Sequence, residues 1–267
     1  MLTPSTEPIT VIKVGGNELE DRSWLAALAA GLAAVRERVV VVHGGGREVS
    51  ALQGRLGLEP VWHEGLRVTT PETMPVVSMV LSGLVNKRIA AVLQDAGLDA
   101  VGLSGEDGVL LAEPSHGGAL GRVGAVAEVR TRVLSTLLEA GIVPVLSPVS
   151  RGPDGAALNV NADDAAVAIA AALGASRLLY VSDVAGVASD GRVLDAIAAD
   201  GVEALIAAGV ATGGMAPKLR AAARAVAAGI GEVRIGAAAI LHGGAGTRVL
   251  DAAGAGAADA SIAEVAA

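Results

Sequence analysis

Two lysines in this 267-residue chain stand close to paired glycines: Lys13 in ITVIKVGG and Lys218 in GVATGGMAPK. Lys13 falls inside a short β-branched run, where a buried ammonium is costly unless it reaches an anion. A second glycine turn, Gly44-Gly45-Gly46, closes the run VVVVHGGG. Consecutive glycines let backbone N–H groups approach a small anionic group with no Cβ in the way. Arg67 lies on one arm of a candidate hairpin, and Asn159, Asn161 and Asp163 crowd the start of a helix in NVNADD, where one capping residue would suffice. Together these residues are equipment for holding phosphates and a carboxylate. GxxxxGK, GxGxxG and HExxH are all missing, so neither a P-loop, a dinucleotide fingerprint nor a zinc-protease helix is indicated. The four histidines, His43, His63, His116 and His242, are scattered, and no metal-ligand set or Ser/His/Asp arrangement is predicted. His43 reads as a strand-end packing residue.

The glycine turns need strands to aim them. Residues 9–16 and 39–46 each read as a short strand running into glycines, and a β-branched run without alternation marks a strand buried on both faces. Helical spacing over 24–38 and 47–56 makes this a βαβα opening, the mark of a parallel sheet whose ligands bind at the carboxyl ends of its strands. Residues 60–69 hold two short extended pieces around Glu64-Gly65. A long apolar helix is predicted over 71–96, and its uncharged stretch 74–85 suits burial or an interface between copies equally. Next come a strand at 100–103, a Gly-rich stretch at 105–129 suited to two or three short antiparallel strands, a helix at 130–140, a strand at 142–146 and an Ala-rich helix ending near Leu173. The βα pattern restarts at Ser176 with a strand at 178–182, a turn at 189–191, helices at 203–208 and 219–228, a strand at 232–235 and a closing GGAGTRVL. A boundary between two lobes is expected near 174–176.

Composition bounds the rest. An apolar content of 52% supports a substantial core, built without phenylalanine from alanine, valine, leucine and isoleucine. A net charge of −8 and a pI near 5.0 argue against nucleic acid as a partner. The absence of cysteine fits a reducing cytoplasm. No uncharged apolar stretch reaches membrane-spanning length and MLTPSTEP lacks the layout of a signal peptide, so a cytoplasmic protein with no membrane partner is expected. The Ala/Gly-rich residues 251–267 are assigned no role.

In chain order, KVGG at Lys13, VVHGGG at Val41, GLRVT at Gly65, SGLVNK at Ser82, VGLSGEDG at Val101, GRVGAV at Gly121, NVNADDAA at Asn159, SDVAGV at Ser182, TGGMAPK at Thr212 and GTRVL at Gly246 resemble the amino acid kinase family. The resemblance implies an α/β fold, a three-layer αβα sandwich with a mostly parallel central sheet. An acyl-substrate-binding and dimerisation lobe would span 1–175 and a nucleotide-binding lobe 176–267. It implies phosphoryl transfer from ATP, with Mg2+ brought by the nucleotide, to the side-chain carboxylate of N-acetyl-L-glutamate. An acceptor already ionised at neutral pH needs no general base, which agrees with the scattered histidines.

By resemblance, Lys13 and Lys218 are the catalytic cations and Asp163 holds both, although from the residues alone Asp164 competes for that place. Gly15 and Gly16 would offer N–H groups to phosphates, Gly45 and Gly46 would close on the acyl substrate, and Arg67 and Asn159 would take its α-carboxylate. Asp183, Val184, Ala185, Gly186, Val187 and Ala188, with Val210, Ala211 and Thr212, match the nucleotide-binding segments. Thr212-Gly213-Gly214 carries glycine where some relatives carry aspartate. Only eight residues precede Ile9, where arginine-inhibited members carry a further helix and form hexamers, so an arginine-insensitive homodimer is expected. The nearest alternative acceptor is the longer N-acetyl-aminoadipate. A non-catalytic acylamino-acid or nucleotide sensor on the same fold and a dinucleotide-dependent reductase are the rivals from other classes.

Overall fold

Runs of valine and isoleucine form the middle of an eight-stranded sheet in the computed structural model, which describes residues 7–15, 17–63, 66–252 and 254–255. β1 (Ile9–Val14) leads through a 3-10 turn into α1 (Arg22–Ala33), β2 (Arg38–His43) and α2 (Gly46–Arg55). Asp21 caps α1 by accepting from the N–H groups of Ser23 and Trp24. A ribbon of β3 (Trp62–His63) and β4 (Leu66–Arg67) precedes one long helix. That helix is made of α3 (Met74–Ser78), a π-helical segment (Met79–Val85) and α4 (Asn86–Asp95). Then follow β5 (Ala100–Ser104), β6 (Leu110–Pro114), β7 (Val123–Val129), α5 (Thr131–Glu139), β8 (Val143–Ser147), β9 (Val149–Arg151), β10 (Ala157–Val160) and α6 (Ala162–Leu173). The remainder comprises β11 (Arg177–Val181), a ribbon of β12 (Ala188–Ser189) and β13 (Arg192–Val193), β14 (Ala196–Ala198), α7 (Val202–Ala207), α8 (Met215–Ala227), β15 (Glu232–Gly236) and β16 (Thr247–Leu250).

The strand order is β14-β16-β15-β11-β1-β2-β8-β5. All neighbours from β15 to β5 are parallel, while β16 runs antiparallel to β15 and β14 follows β16, so the reversed strands sit at one edge. β1 is the switch point: the chain leaves it on one side for β2 and returns on the other at β11. In an open α/β sheet such a reversal opens a crevice at the carboxyl ends of the strands.

Burial on both faces explains the unbroken β-branched runs. Val11, Val40 and Val42 pack with Leu134 of α5, Ile169 of α6 and Leu219 of α8, whereas Ile12, Val39 and Val41 pack with Leu25 and Leu28 of α1 and Ile89 and Leu93 of α4. The result is the expected three layers. Without phenylalanine, close approach replaces bulk: Ala165, Ala166 and Ala170 of α6 and Ala221, Ala222 and Ala225 of α8 are all 0% exposed.

Several boundaries differ from those read in the sequence. β6 and β7 form the expected antiparallel pair, but β9 and β10 join them in a small closed barrel. These strands have three and four residues, too short for a periodic signal, so Asn159 lies in a strand rather than at a helix start. β14 was hidden for the same reason. α1 stops at Ala33, and α8 begins four residues before the predicted 219, which places Lys218 near its start. The helix over Met74–Asp95 is, by length and composition, apolar enough to cross a membrane, although Lys87 and Arg88 interrupt its uncharged stretch and half of its apolar window is buried. Val76, Val80, Val85 and Ile89 make it a core helix. The boundary expected near 174–176 coincides with left-handed Gly174 at the end of α6, and the sheet continues across it through the β1–β11 pairing.

Candidate active site

Lys13 shares a face of β1 with Val11 and points toward α6. Its Nζ lies 2.7 Å from Oδ1 of Asp163, and both side chains are only 10% exposed. Asn161 caps α6, accepting from the N–H of Asp163 at 2.8 Å and of Asp164 at 3.3 Å, and so holds Asp163 in the first turn. Asp164 turns outward to Arg224, so of the two neighbouring aspartates it is Asp163 that meets Lys13. Gly15 makes room for the pair, since a Cβ there would come within 2.6 Å of Lys13 Nζ. Its N–H, expected to face a phosphate, is instead directed at the Val181 carbonyl at 3.3 Å. Gly16 lies outside the described residues.

Lys218 donates to Ser182 Oγ at the long distance of 3.5 Å. Its pKa is lowered, first by burial and next by the Lys13 charge, against the pull of Asp163, Asp183 and Glu18. Two ammonium groups thus share the neighbourhood of one buried carboxylate. Two converging ammonium groups suit a phosphate-bearing ligand, while Asp183 and Glu18 also act on Lys218. Asp163 touches Lys13 directly, whereas the hydrogen bond of Lys218 goes to Ser182.

On the β2 side of the switch point, Gly45 has φ +149°, which L side chains rarely adopt. A Cβ there would lie 2.8 Å from Leu81 Cδ2 and 3.1 Å from Val85 Cγ2, so the π-helical segment packs directly on the turn. Ser82 Oγ, 2.7 Å from Ser147 Oγ, ties the same segment to the end of β8. Gly45→Ala is expected to destabilise the fold by about 1–3 kcal/mol through backbone strain and overpacking. A urea midpoint equal to that of the unaltered protein would count against both effects.

Arg67 is 9% exposed and densely bonded. Its Nη1 donates to Gln53 Oε1 and its Nη2 to the Gly46 carbonyl and to Ser50 Oγ, each at 2.7 Å, and the guanidinium carbon lies 4.5 Å from the centre of the Trp62 ring. Burial lowers the Arg67 pKa, yet guanidinium stays charged. Asn159 Nδ2 donates to Thr69 Oγ1 at 3.0 Å. Gly45, Gly46, Arg67 and Asn159 line one cleft of ≈ 220 Å³ with Trp62 and Asn161, so the residues expected to take an acyl substrate are brought together.

On the β11 side, Asp183, Val184 and Ala185 are exposed in the loop beyond the strand, while Gly186 and Val187 are buried. The Val187 N–H donates to Thr247 Oγ1 at 2.8 Å, and that hydroxyl donates to the Leu194 carbonyl at 2.7 Å. A Cβ at Gly186 would come within 2.6 Å of Thr247 Oγ1 and of Val193 Cγ1. Burial raises the Glu18 pKa, and the neighbouring Asp183 carboxylate adds to the rise. Ala188 opens β12, and Val210, Ala211 and Thr212 lead into α8, where the Met215 N–H donates to the Thr212 carbonyl at 3.1 Å. Residues 183–188 follow β11, residues 210–212 precede α8, which packs on β15 and β16, and neither segment lines the Arg67 cleft.

Sequence reasoning passed over Ser50, Gln53, Thr69, Asn86 and His43. Ser50 and Gln53 stand three apart on α2, a spacing that could have flagged a shared polar partner. His43 is not merely packed: Nδ1 is 2.8 Å from the Gly44 carbonyl oxygen and Nε2 is 3.1 Å from Asn86 Nδ2. Burial, with the charges of Lys13 and Lys87 adding, lowers its pKa from 6.5 to about 4, against the opposing bond to Gly44. The unfolded chain protonates His43 below pH 6.5 but the folded chain only near 4, so stability falls on acidification through that window. This one group is expected to make unfolding about 2 kcal/mol easier at pH 5 than at pH 7. Urea titrations at both values should show the extra pH slope in the unaltered protein and its loss in His43→Asn; identical slopes would contradict it.

The model of the family described as the amino acid kinase family matches residues 8–237. The chain is similar to the acetylglutamate kinase of Chloroflexus aurantiacus, at 49% identity over 244 residues, covering 90% of this chain and 96% of the relative. The acetylglutamate kinase of Geobacillus kaustophilus is 48% identical over 229 residues, covering 84% and 88%. A solved structure from Streptococcus mutans superposes with a TM-score of 0.79 at 33% identity, covering 91% of this chain and 98% of that one. With the family match spanning most of its length, and Gly15 following β1 at the switch point as Gly44-Gly45-Gly46 follows β2 beside it, the chain belongs to the amino acid kinase family.

Proposed function

We propose that this chain is an acetylglutamate kinase, transferring the γ-phosphoryl of ATP to the side-chain carboxylate of N-acetyl-L-glutamate to give N-acetyl-L-glutamyl 5-phosphate, a step of arginine biosynthesis. The observation that carries this reading is the buried Lys13–Asp163 pair with Lys218 beside it, set between the Arg67 cleft and the loop after β11, in a chain nearly half identical to acetylglutamate kinases.

The acceptor carboxylate is ionised at neutral pH, so the obstacle is charge rather than proton transfer. Arg67 and Asn159 would hold the α-carboxylate, with the N–H groups of Gly45 and Gly46 turned to the rest of the acid. Lys13 and Lys218 then offset the negative charge on the transferring phosphoryl, and Asp163 keeps two like charges together in the absence of ligand. Residues 183–188 and 210–212 would hold the nucleotide. Mg2+ carried by the nucleotide would add charge neutralisation at the phosphates.

In this reading residues 1–175 form the acyl-substrate lobe and 176–267 the nucleotide lobe. Met79 and Leu84, 55% and 52% exposed on the long helix, support a homodimer through that face. A cytoplasmic location fits the cysteine-free sequence.

Hydroxylamine trapping of the acyl phosphate tests the reaction. With MgATP, N-acetylglutamate is expected to give hydroxamate and N-acetyl-aminoadipate, one methylene longer, about 10- to 200-fold less. Preference for the longer acid would move the enzyme to lysine biosynthesis, and no product from either would leave a sensor as the reading. Arg67→Lys keeps the charge but loses the fork that joins Gln53, Gly46 and Ser50. It is expected to raise KM for the acid about tenfold and leave KM for ATP within about twofold. Equal rises in both constants would argue that Arg67 is structural.

A further inference from the structure

His43 is the last residue of β2, immediately before the glycine turn, and is 0% exposed. Its Nδ1 lies 2.8 Å from the Gly44 carbonyl oxygen. A carbonyl oxygen can only accept, so Nδ1 carries the proton. Nε2 faces Nδ2 of Asn86, which is also 0% exposed and lies 3.0 Å from the Leu103 carbonyl and 2.8 Å from the Val145 carbonyl. Those two carbonyls identify the amide nitrogen, and Asn86 Oδ1 accepts from Lys87 Nζ at 3.0 Å on the other side. Nε2 therefore faces a donor nitrogen and serves as an acceptor without a proton of its own, competing with the two carbonyls for the amide's two hydrogens. Two separate bonds demand the same tautomer. Gly102 on β5 leaves the amide its space, since no Cβ would fit against Asn86 Oδ1.

The Gly44 carbonyl is also a lever. Across a trans peptide the C=O of one residue and the N–H of the next point in opposite directions. Anchoring the Gly44 oxygen on His43 therefore sets the direction of the Gly45 N–H. Glycine on both sides of that peptide leaves little else to stop it from rotating. Among the described residues no acceptor takes the N–H of Gly45 or of Gly46, and both glycines line the Arg67 cleft. We propose that His43, held by Asn86 as the neutral Nδ1–H tautomer, is a positioning residue that fixes the Gly44–Gly45 peptide plane and so aims the Gly45 N–H at the acyl substrate. This rests on the acceptor reading given above. Neither His43 nor Asn86 touches the substrate; their effect passes through the turn.

Two substitutions separate the two bonds. His43→Asn puts an amide N–H close to the place of Nδ1 and can keep the Gly44 bond, whereas His43→Gln puts its amide near Nε2 and cannot. His43→Gln is expected to raise KM for N-acetylglutamate about ten- to hundredfold, with KM for ATP within about twofold, and His43→Asn to recover most of that loss. Imidazole 15N spectra of the unaltered protein at pH 7 are expected to show Nδ1 protonated and Nε2 bare. An unchanged KM in His43→Gln, parallel rises for both substrates, or a His43 signal from the Nε2–H tautomer or from imidazolium would each overturn the proposal. If a variant does not fold, the spectrum of the unaltered protein decides. Failure of the unaltered protein to form hydroxamate with any acid would remove the acceptor reading and this proposal with it. An active enzyme indifferent to His43→Gln would remove this proposal alone.

Discussion

Lys218→Met is expected to lower kcat for acyl phosphate formation about 10²- to 10³-fold while leaving the fold intact, the loss associated with removing one preorganised charge stabiliser from a transition state. Lys218 makes one long bond, to Ser182, and its ammonium is disfavoured by burial and by the Lys13 charge. Its removal relieves the burial cost and the repulsion from Lys13 while forfeiting the longer-range attraction of Asp163, Asp183 and Glu18, and methionine keeps most of the stem. Thermal midpoints should stay level or rise as kcat collapses. A kcat within tenfold of the unaltered enzyme would sink the catalytic assignment, and a lowered midpoint would mean that Lys218 also supports the fold.

Asp163→Asn should behave differently, losing stability as well as activity. The side chain keeps its shape, but the Lys13 ammonium, 2.7 Å away and 10% exposed, loses its counter-ion. Breaking a buried pair by removing one partner leaves an uncompensated charge and is expected to cost about 3 kcal/mol. Lys13 and Lys218 then repel one another without the Asp163 charge to offset it, so kcat should fall as well. Urea denaturation with and without a bound nucleotide analogue separates the contributions: an anionic ligand should restore part of the lost stability by supplying negative charge. An unchanged urea midpoint would mean that the Lys13–Asp163 contact contributes nothing to folding.

Much of the chemistry was legible because it is local. The unbroken valines before Gly44 and the β-branched run around Lys13 announce strands buried on both faces, and the glycines after them announce turns at the carboxyl ends. Lysine is scarce here: of the 20 basic residues, only Lys13, Lys87 and Lys218 are not arginine. A compact ammonium at the end of a buried strand is thus a marked choice in a chain that otherwise uses the planar fork. Residue type and spacing were enough to name Lys13, Lys218, Arg67, Asn159 and the glycine turns as candidates for holding anions, and family resemblance supplied their separate roles.

Tertiary structure alone decided the rest. Which of Asp163 and Asp164 meets Lys13 depends on the angle at which α6 leaves its Asn161 cap, a quantity that adjacent identical residues cannot encode separately. The closed barrel depends on β9 and β10 finding β6 and β7 across long stretches of chain, and three or four residues carry no period of their own. His43 was read as packing because its partners lie 43 residues away, on the long helix, and in its own turn. The chain thus determines by itself where its strands end and which residues those ends carry. Whether a buried side chain there is filler or a hydrogen-bonded clamp depends on what packs against it, and non-local packing sets that.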